Sequence, residues 1–187
     1  MGTNLEIEFK SELSKQDYGK LVSKFSTTKI YSQINYFIDS DDLVVRSKKC
    51  GLRIREKDGD FEMTLKVPQS EGKLEINQQI TDKLIKSFVF PDGEIKNYLR
   101  DNFSIKIESL HILGSLETKR LDLKYKTSLI SIDESSYNGI VDYEIEAEDS
   151  SMDLAKKNLL DFLKDNEIEY KKSTRTKLKR FLNTLKN

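Results

Sequence analysis

The sequence has one cysteine and one histidine in 187 residues, only two prolines, and no excess charge of either sign, with 32 basic side chains matched by 32 acidic ones. The single Cys50 excludes an intramolecular disulfide framework and, with no evident His or Asp partner, does not read as a nucleophile. A lone His111 in a β-rich segment reads as structural or surface-exposed rather than catalytic. Charge balance gives no support to a general nucleic-acid or membrane-surface binder, so any electrostatic function must come from local arrangement. No apolar run approaches a membrane span, and the opening residues carry Glu6 and Glu8 instead of a signal-peptide core. Repeats, low-complexity tracts and flexible linkers are also missing. The expectation is one soluble, cytoplasmic domain over residues 1–187, long enough to bury a core.

What the chain does have is alternation. In Leu5-Glu6-Ile7-Glu8-Phe9-Lys10 apolar and charged residues alternate with the period of a β-strand, which puts Leu5, Ile7 and Phe9 on one face and Glu6, Glu8 and Lys10 on the other. The pattern returns over 29–39 and in two runs flanking the Asp58-Gly59 turn, where Leu52 and Ile54 oppose Arg53 and Arg55, and Met63 and Leu65 oppose Glu62, Thr64 and Lys66. It returns again over 73–80, across a long segment from about 105 to 125 with a bend expected at Gly114, and in a last hairpin around Asn138-Gly139. In that hairpin Asp133, Glu144 and Glu146 share the polar face.

Between these strands lie helical patterns. Ser14 to Asp17 has capping-box-like spacing ahead of Tyr18, Leu21, Val22 and Phe25. Leu84, Ile85 and Phe88 suggest a short helix, and Asp92 is a candidate cap for another carrying Ile95, Tyr98, Leu99 and Phe103. A helix beginning near Ser150 and Asp153 carries Leu159, Phe162 and Leu163, and a last one carries Leu178, Phe181, Leu182 and Leu185.

Helices with apolar stripes need apolar sheet surface, and these strands offer it on one face only. The helices therefore belong on the outside and the charged face within, an α+β fold whose eight mostly antiparallel strands would close into a barrel, or tunnel, with a polar interior. Charges gathered there need partners, because burying an unpaired ion costs on the order of several kcal/mol. Carboxylates without Cys or His companions suit a hard, oxygen-preferring ion such as Mg²⁺ or Mn²⁺. Clustered Arg and Lys suit phosphate. Together they describe a polyphosphate site.

At this point the residues resemble the CYTH domains, also called triphosphate tunnel metalloenzymes. Glu6-Ile7-Glu8-Phe9-Lys10 is similar to the family's E-x-E-x-K motif. Leu52 to Arg55, Thr64-Leu65-Lys66, Lys119-Arg120, Ile132-Asp133-Glu134, Glu144-Ile145-Glu146 and Lys177 follow in the family's order. The resemblance implies hydrolysis of a triphosphate, inorganic tripolyphosphate or an organic one such as thiamine triphosphate or a nucleoside triphosphate, with Mg²⁺ or Mn²⁺. It makes Glu6, Glu8 and Lys10 the catalytic set, and it implies that Glu6, Glu8, Asp133, Glu144 and Glu146 ligate metal or orient its water. Lys10, Arg53, Arg55, Lys66, Arg120 and Lys177 would hold the phosphates. Where many members have a Ser-Lys pair this chain has Thr176-Lys177-Leu178-Lys179, which leaves Lys179 as a second candidate. Glu62, Lys73 and Glu75 read either as tuning substrate choice or as rim salt bridges. The basic cluster of Lys171, Lys172, Arg175, Lys177, Lys179 and Arg180 reads as a solvated helix face plus one tunnel lysine. The expected partner is a small-molecule triphosphate, with no nucleic acid and no membrane, and monomer and homodimer are both open. Alternatives to hydrolysis are an adenylate cyclase, which some family members are, and a non-catalytic polyphosphate- or nucleotide-binding module.

Overall fold

The computed structural model describes residues 2–82, 85 and 88–185. Among them are nine strands, β1 (Gly2–Glu6), β2 (Glu8–Leu13), β3 (Ile30–Asp39), β4 (Gly51–Lys57), β5 (Asp60–Pro68), β6 (Lys73–Ile80), β7 (His111–Tyr125), β8 (Ser128–Tyr137) and β9 (Ile140–Glu148). Five α-helices join them, α1 (Lys15–Lys24), α2 (Val44–Ser47), α3 (Glu94–Phe103), α4 (Met152–Asp165) and α5 (Lys177–Thr184), with a 3-10 turn at Ile107–Ser109. The hydrogen-bonded strand order is β1-β6-β5-β4-β3-β7-β8-β9-β2. This is the expected α+β architecture, and every pairing with a described register is antiparallel.

The count is nine instead of eight because the first strand is two. Ile7, which is 4% exposed, separates β1 from β2, and its carbonyl accepts the Asp149 amide at 3.1 Å. β1 neighbours β6, whereas β2 pairs with β9, Lys10 opposite Glu146. Gly114, where the sequence predicts a bend, does not interrupt the strand. β7 runs through it, with the glycine at a φ of +150°. The short helix expected at Leu84, Ile85 and Phe88 lies partly outside the described residues.

The chain forms two compact units, one made of Met1–Leu5 and Gln33–Leu116, the other of Glu6–Ser32 and Glu117–Asn187. In the first, Leu52, Ile54, Met63, Leu65, Val67 and Ile76 form the apolar face, and Ile95 and Leu99 of α3 bury against it. Asp92 does not cap α3. Its carboxylate takes Lys96 at 2.7 Å, and Gly93 is the N-cap residue. The reason is space: Gly93 has a φ of +149°, and a Cβ there would lie 2.2 Å from Gln78 Oε1.

In the second unit Leu121, Ile130, Ile132, Ile145 and Ala147 are covered by Leu21 of α1 and by Leu159, Phe162 and Leu163 of α4. Each buried Leu, Ile or Phe side chain contributes roughly 1.5–3 kcal/mol. α1 starts as its spacing predicts, with Ser14 Oγ accepting the Asp17 amide at 3.0 Å, and Ser151 caps α4 in the same way through Leu154. The opposite face of the same strands carries the charges.

Candidate functional site

Register alone assembles the acidic row. Arg120 on β7 sits opposite Asp133 on β8, and Asp133 opposite Glu144 on β9. One step along, Ser131 faces Glu146, which faces Lys10 on β2. Because side chains alternate, all of these project from the face that α1 and α4 leave uncovered.

The row is completed from the far end of the chain. Thr176 Oγ1 caps α5 by accepting the Lys179 amide at 3.2 Å. Phe181 and Leu182 are buried, Phe181 meets Tyr137 edge-on with ring centres 6.5 Å apart, and Asn138 donates to Thr184 Oγ1 at 2.7 Å. With that side of the helix fixed, Lys177 and Arg180, three residues apart and hence neighbours on one helical face, reach the carboxylates.

Asp133 is fully buried, and Glu144 and Glu146 are 1% and 9% exposed. Arg120 grips Asp133 with two nitrogens, Nε to Oδ1 at 2.7 Å and Nη2 to Oδ2 at 2.6 Å, and Nη2 also reaches Glu146 Oε2 at 2.8 Å. Lys10 Nζ lies 2.9 Å from Glu146 and 3.1 Å from Glu8. Lys177 Nζ donates to Asp133 Oδ2 at 2.7 Å, to Glu144 Oε1, and to Glu146 Oε1 at 3.2 Å. Arg180 Nη2 holds the other oxygen of Glu144, Oε2, at 2.6 Å.

Burial and neighbouring charge pull the two glutamates in opposite directions. Burial raises the Glu144 pKa, against the attraction of Lys177, and Glu146 beside it adds to the rise. Burial also opposes ionisation of Glu146, but Lys10, Lys177 and Arg120 outweigh it and hold that carboxyl well below the usual range. For Lys10 and Lys177 burial disfavours the charge, and the surrounding carboxylates overcome it and raise both ammonium groups.

One oxygen from each of Asp133, Glu144 and Glu146 lies within 4.8 Å of the others, close enough to share one cation. All three are carboxylate donors, as a hard divalent ion prefers. The Lys177 ammonium touching all three shows that the trio accepts positive charge. The residues fit a hard divalent cation.

The other cations expected from the sequence, Arg53, Arg55 and Lys66, belong to the first unit. Lys66 Nζ lies 2.7 Å from Glu75 Oε1 and Arg53 Nη2 lies 3.9 Å from it, and together they lower the Glu75 pKa against the effect of its burial. Glu75 is thus a counter-ion to both. Arg55 donates to Asn35 Oδ1 at 3.0 Å, and Glu62 accepts from Gln79 at 3.1 Å. Arg53 Nε is buried without a hydrogen-bond partner. Lys73 begins β6, and Glu6 ends β1, half-buried.

Of the two lysine candidates, Lys177 joins the carboxylates and Lys179 is exposed. One reading is corrected. Arg180, expected on a solvated helix face, instead binds Glu144 and Asp142. Its spacing of three from Lys177 is the signal that would have found it. His111 is half-exposed and pairs with Asp41 at 3.3 Å. Cys50 is buried, and burial pushes its thiol up to about 11, so it is no nucleophile.

Residues 4–182 match the CYTH domain family, a span that includes most of both units. A Bacillus subtilis (strain 168) protein named "Putative triphosphatase YjbK" is 35% identical over 151 residues, 79% of either chain. Among solved structures, one described as a "putative adenylate cyclase" from Bacillus halodurans is 36% identical, with a TM-score of 0.89 over 97% of this chain and 99% of its own. HpAC1 from Hippeastrum, described as a "putative adenylyl cyclase" with a dominant triphosphatase activity, has a TM-score of 0.82 at 24% identity over 96% of both chains, a likeness of fold. The chain belongs to the CYTH family. No helix among its described residues is long and apolar enough to cross a membrane.

Proposed function

We propose that this chain hydrolyses a phosphoanhydride bond of triphosphate-containing compounds with the aid of Mg²⁺ or Mn²⁺. The observation that carries the reading is the buried trio of Asp133, Glu144 and Glu146 with the Lys177 ammonium among its oxygens. The family and the name of the Bacillus subtilis relative support the same chemistry.

In this reading Asp133, Glu144 and Glu146, with Glu8 and Glu6, hold the cation, which would act as a Lewis acid toward charge on the transferred phosphoryl group. Lys10, Arg120 and Lys177 then turn from carboxylates toward phosphate oxygens. The carboxylates keep these cations ionised and in place before substrate arrives, which lowers the cost of ordering them. Arg53, Arg55 and Lys66 are assigned to phosphates by the resemblance, and the unpartnered Arg53 Nε supports an anion contact. The substrate is a small molecule, either tripolyphosphate or an organic triphosphate. A cytoplasmic location is part of the proposal and agrees with a single buried thiol.

Purified protein incubated with tripolyphosphate, ATP and thiamine triphosphate should release phosphate when Mg²⁺ or Mn²⁺ is present and stop when EDTA is added. Turnover no higher than that of a Glu8→Ala control on every substrate would sink the proposal. Because the Bacillus halodurans structure is described as a "putative adenylate cyclase", cyclisation of ATP is the second reading. Chromatography of the ATP reaction separates the two, since one gives cyclic nucleotide and pyrophosphate and the other phosphate. Tight cation-dependent binding without turnover would favour the binding module.

A further inference from the structure

Glu144 is held at both oxygens by α5, and the two holders differ in kind. Lys177 is a single ammonium on a flexible stem that it shares among three carboxylates. Arg180 is fixed through both of its terminal nitrogens, while its buried Nε forms an ion pair but no hydrogen bond. Nη1 donates to the Arg175 carbonyl at 2.9 Å, Nε lies 2.8 Å from Asp142 Oδ2, and Nη2 spans Asp142 Oδ1 at 3.2 Å and Glu144 Oε2 at 2.6 Å. Asp142 is itself anchored, because Tyr137 donates to its Oδ2 at 2.6 Å. A continuous chain thus runs Tyr137, Asp142, Arg180, Glu144, from the rim of the β8–β9 hairpin to the buried acidic trio.

We propose that Arg180 is the positioning residue of the site, holding Glu144 Oε2 so that Oε1 stays directed at Asp133 and Glu146 when Lys177 moves away to meet phosphate. The inference rests on the reading of Asp133, Glu144 and Glu146 as cation ligands. A carboxylate released by Lys177 alone would be free to rotate about its terminal torsion, which is broad and poorly self-restraining. The planar guanidinium, clamped on its far side by Asp142 and the Arg175 carbonyl, removes that freedom. Outer partners of this kind orient metal-ligating carboxylates, and losing one typically weakens metal binding 10- to 100-fold.

Arg180→Lys keeps the charge and hence the field, but cannot span Asp142 and Glu144 together, so it separates orientation from electrostatics. Binding of Mn²⁺ alone, followed by the EPR signal of the free ion, should weaken about tenfold in this variant while far-UV circular dichroism stays unchanged. With tripolyphosphate, kcat should fall by a similar factor at little change in KM. Tyr137→Phe removes one hydroxyl, touches no ligand and is the milder variant. It should weaken Mn²⁺ binding about two- to threefold alone and add nothing in the Arg180→Lys background, because both act through one chain. Wild-type Mn²⁺ affinity in a folded Arg180→Lys protein, or additive effects of the two substitutions, overturns the inference. Failure of the wild-type protein itself to turn over any triphosphate is a separate result, which overturns the hydrolase reading and leaves the Mn²⁺ comparison to be read independently.

Discussion

The Lys177 ammonium lies 2.7 Å from Asp133 Oδ2 and is held by Glu144 and Glu146 as well, so one side chain takes an oxygen from each of three carboxylates that a metal would share. Ammonium and divalent cation therefore compete for the same oxygens. Lys177→Gln should tighten Mn²⁺ binding severalfold, because the competing charge is gone, and should lower kcat on tripolyphosphate about 100-fold, because a phosphate-neutralising donor is lost. Titration with Mn²⁺ and steady-state kinetics on the same preparation check the two halves. Weaker Mn²⁺ binding in the variant would contradict the competition.

Gly93 is a second place where one atom decides. A Cβ there would meet the whole amide group of Gln78, at 2.2 to 2.6 Å, and Gln78 is tied by its own Nε2 to the Asp92 carbonyl at 2.8 Å. Gly93→Ala must displace a buried side chain and also adopt a φ near +149°. The expected cost is about 2–4 kcal/mol, read as a lowered Tm or urea midpoint. A midpoint equal to wild type would mean that the amide moves aside freely.

The pH dependence of stability has a local test at Asp149. Hydrogen bonds from Ser128 and Thr127, at 2.6 and 2.7 Å, hold its carboxyl at about 2, below the ordinary 3.8. A depressed carboxyl adds stability that is fully present above its unfolded value and is lost as pH falls through the folded one, here between about pH 4 and pH 2. In that window Asp149→Asn should show a shallower fall of Tm with pH than wild type. Parallel curves would remove Asp149 from the account.

Much of this was legible in the sequence because strand alternation reports faces directly. Leu121, Ile130, Ile132 and Ile145 share the helix-covered face, and Arg120, Asp133, Glu144 and Glu146 the other, as period two requires. The break at Ile7 was not legible. Leu5, Ile7 and Phe9 keep their alternation through it, and periodicity says nothing about which neighbour each half pairs with. Arg180 was hidden for a different reason. A charged helix face is solvated by default, and the spacing of three from Lys177 points Arg180 inward only once Lys177 itself is placed among the carboxylates, as the packing of α5 against Tyr137 does. Glu75 was ambiguous because a counter-ion and a substrate-tuning group look alike until a partner such as Lys66 is located.

Since β2 finds its partner in β9, Lys10 and Glu146 stand 136 residues apart in the chain. On the ribosome, β2 and the Leu21 side of α1 emerge long before the surface they will cover has been translated. Pairing so distant carries a large loop-closure penalty and slows folding. Assembly of the acid-lined unit is consequently a late, near-complete-chain event, and nascent chains halted before β9 would expose an unpaired strand and a greasy helix suited to chaperone capture.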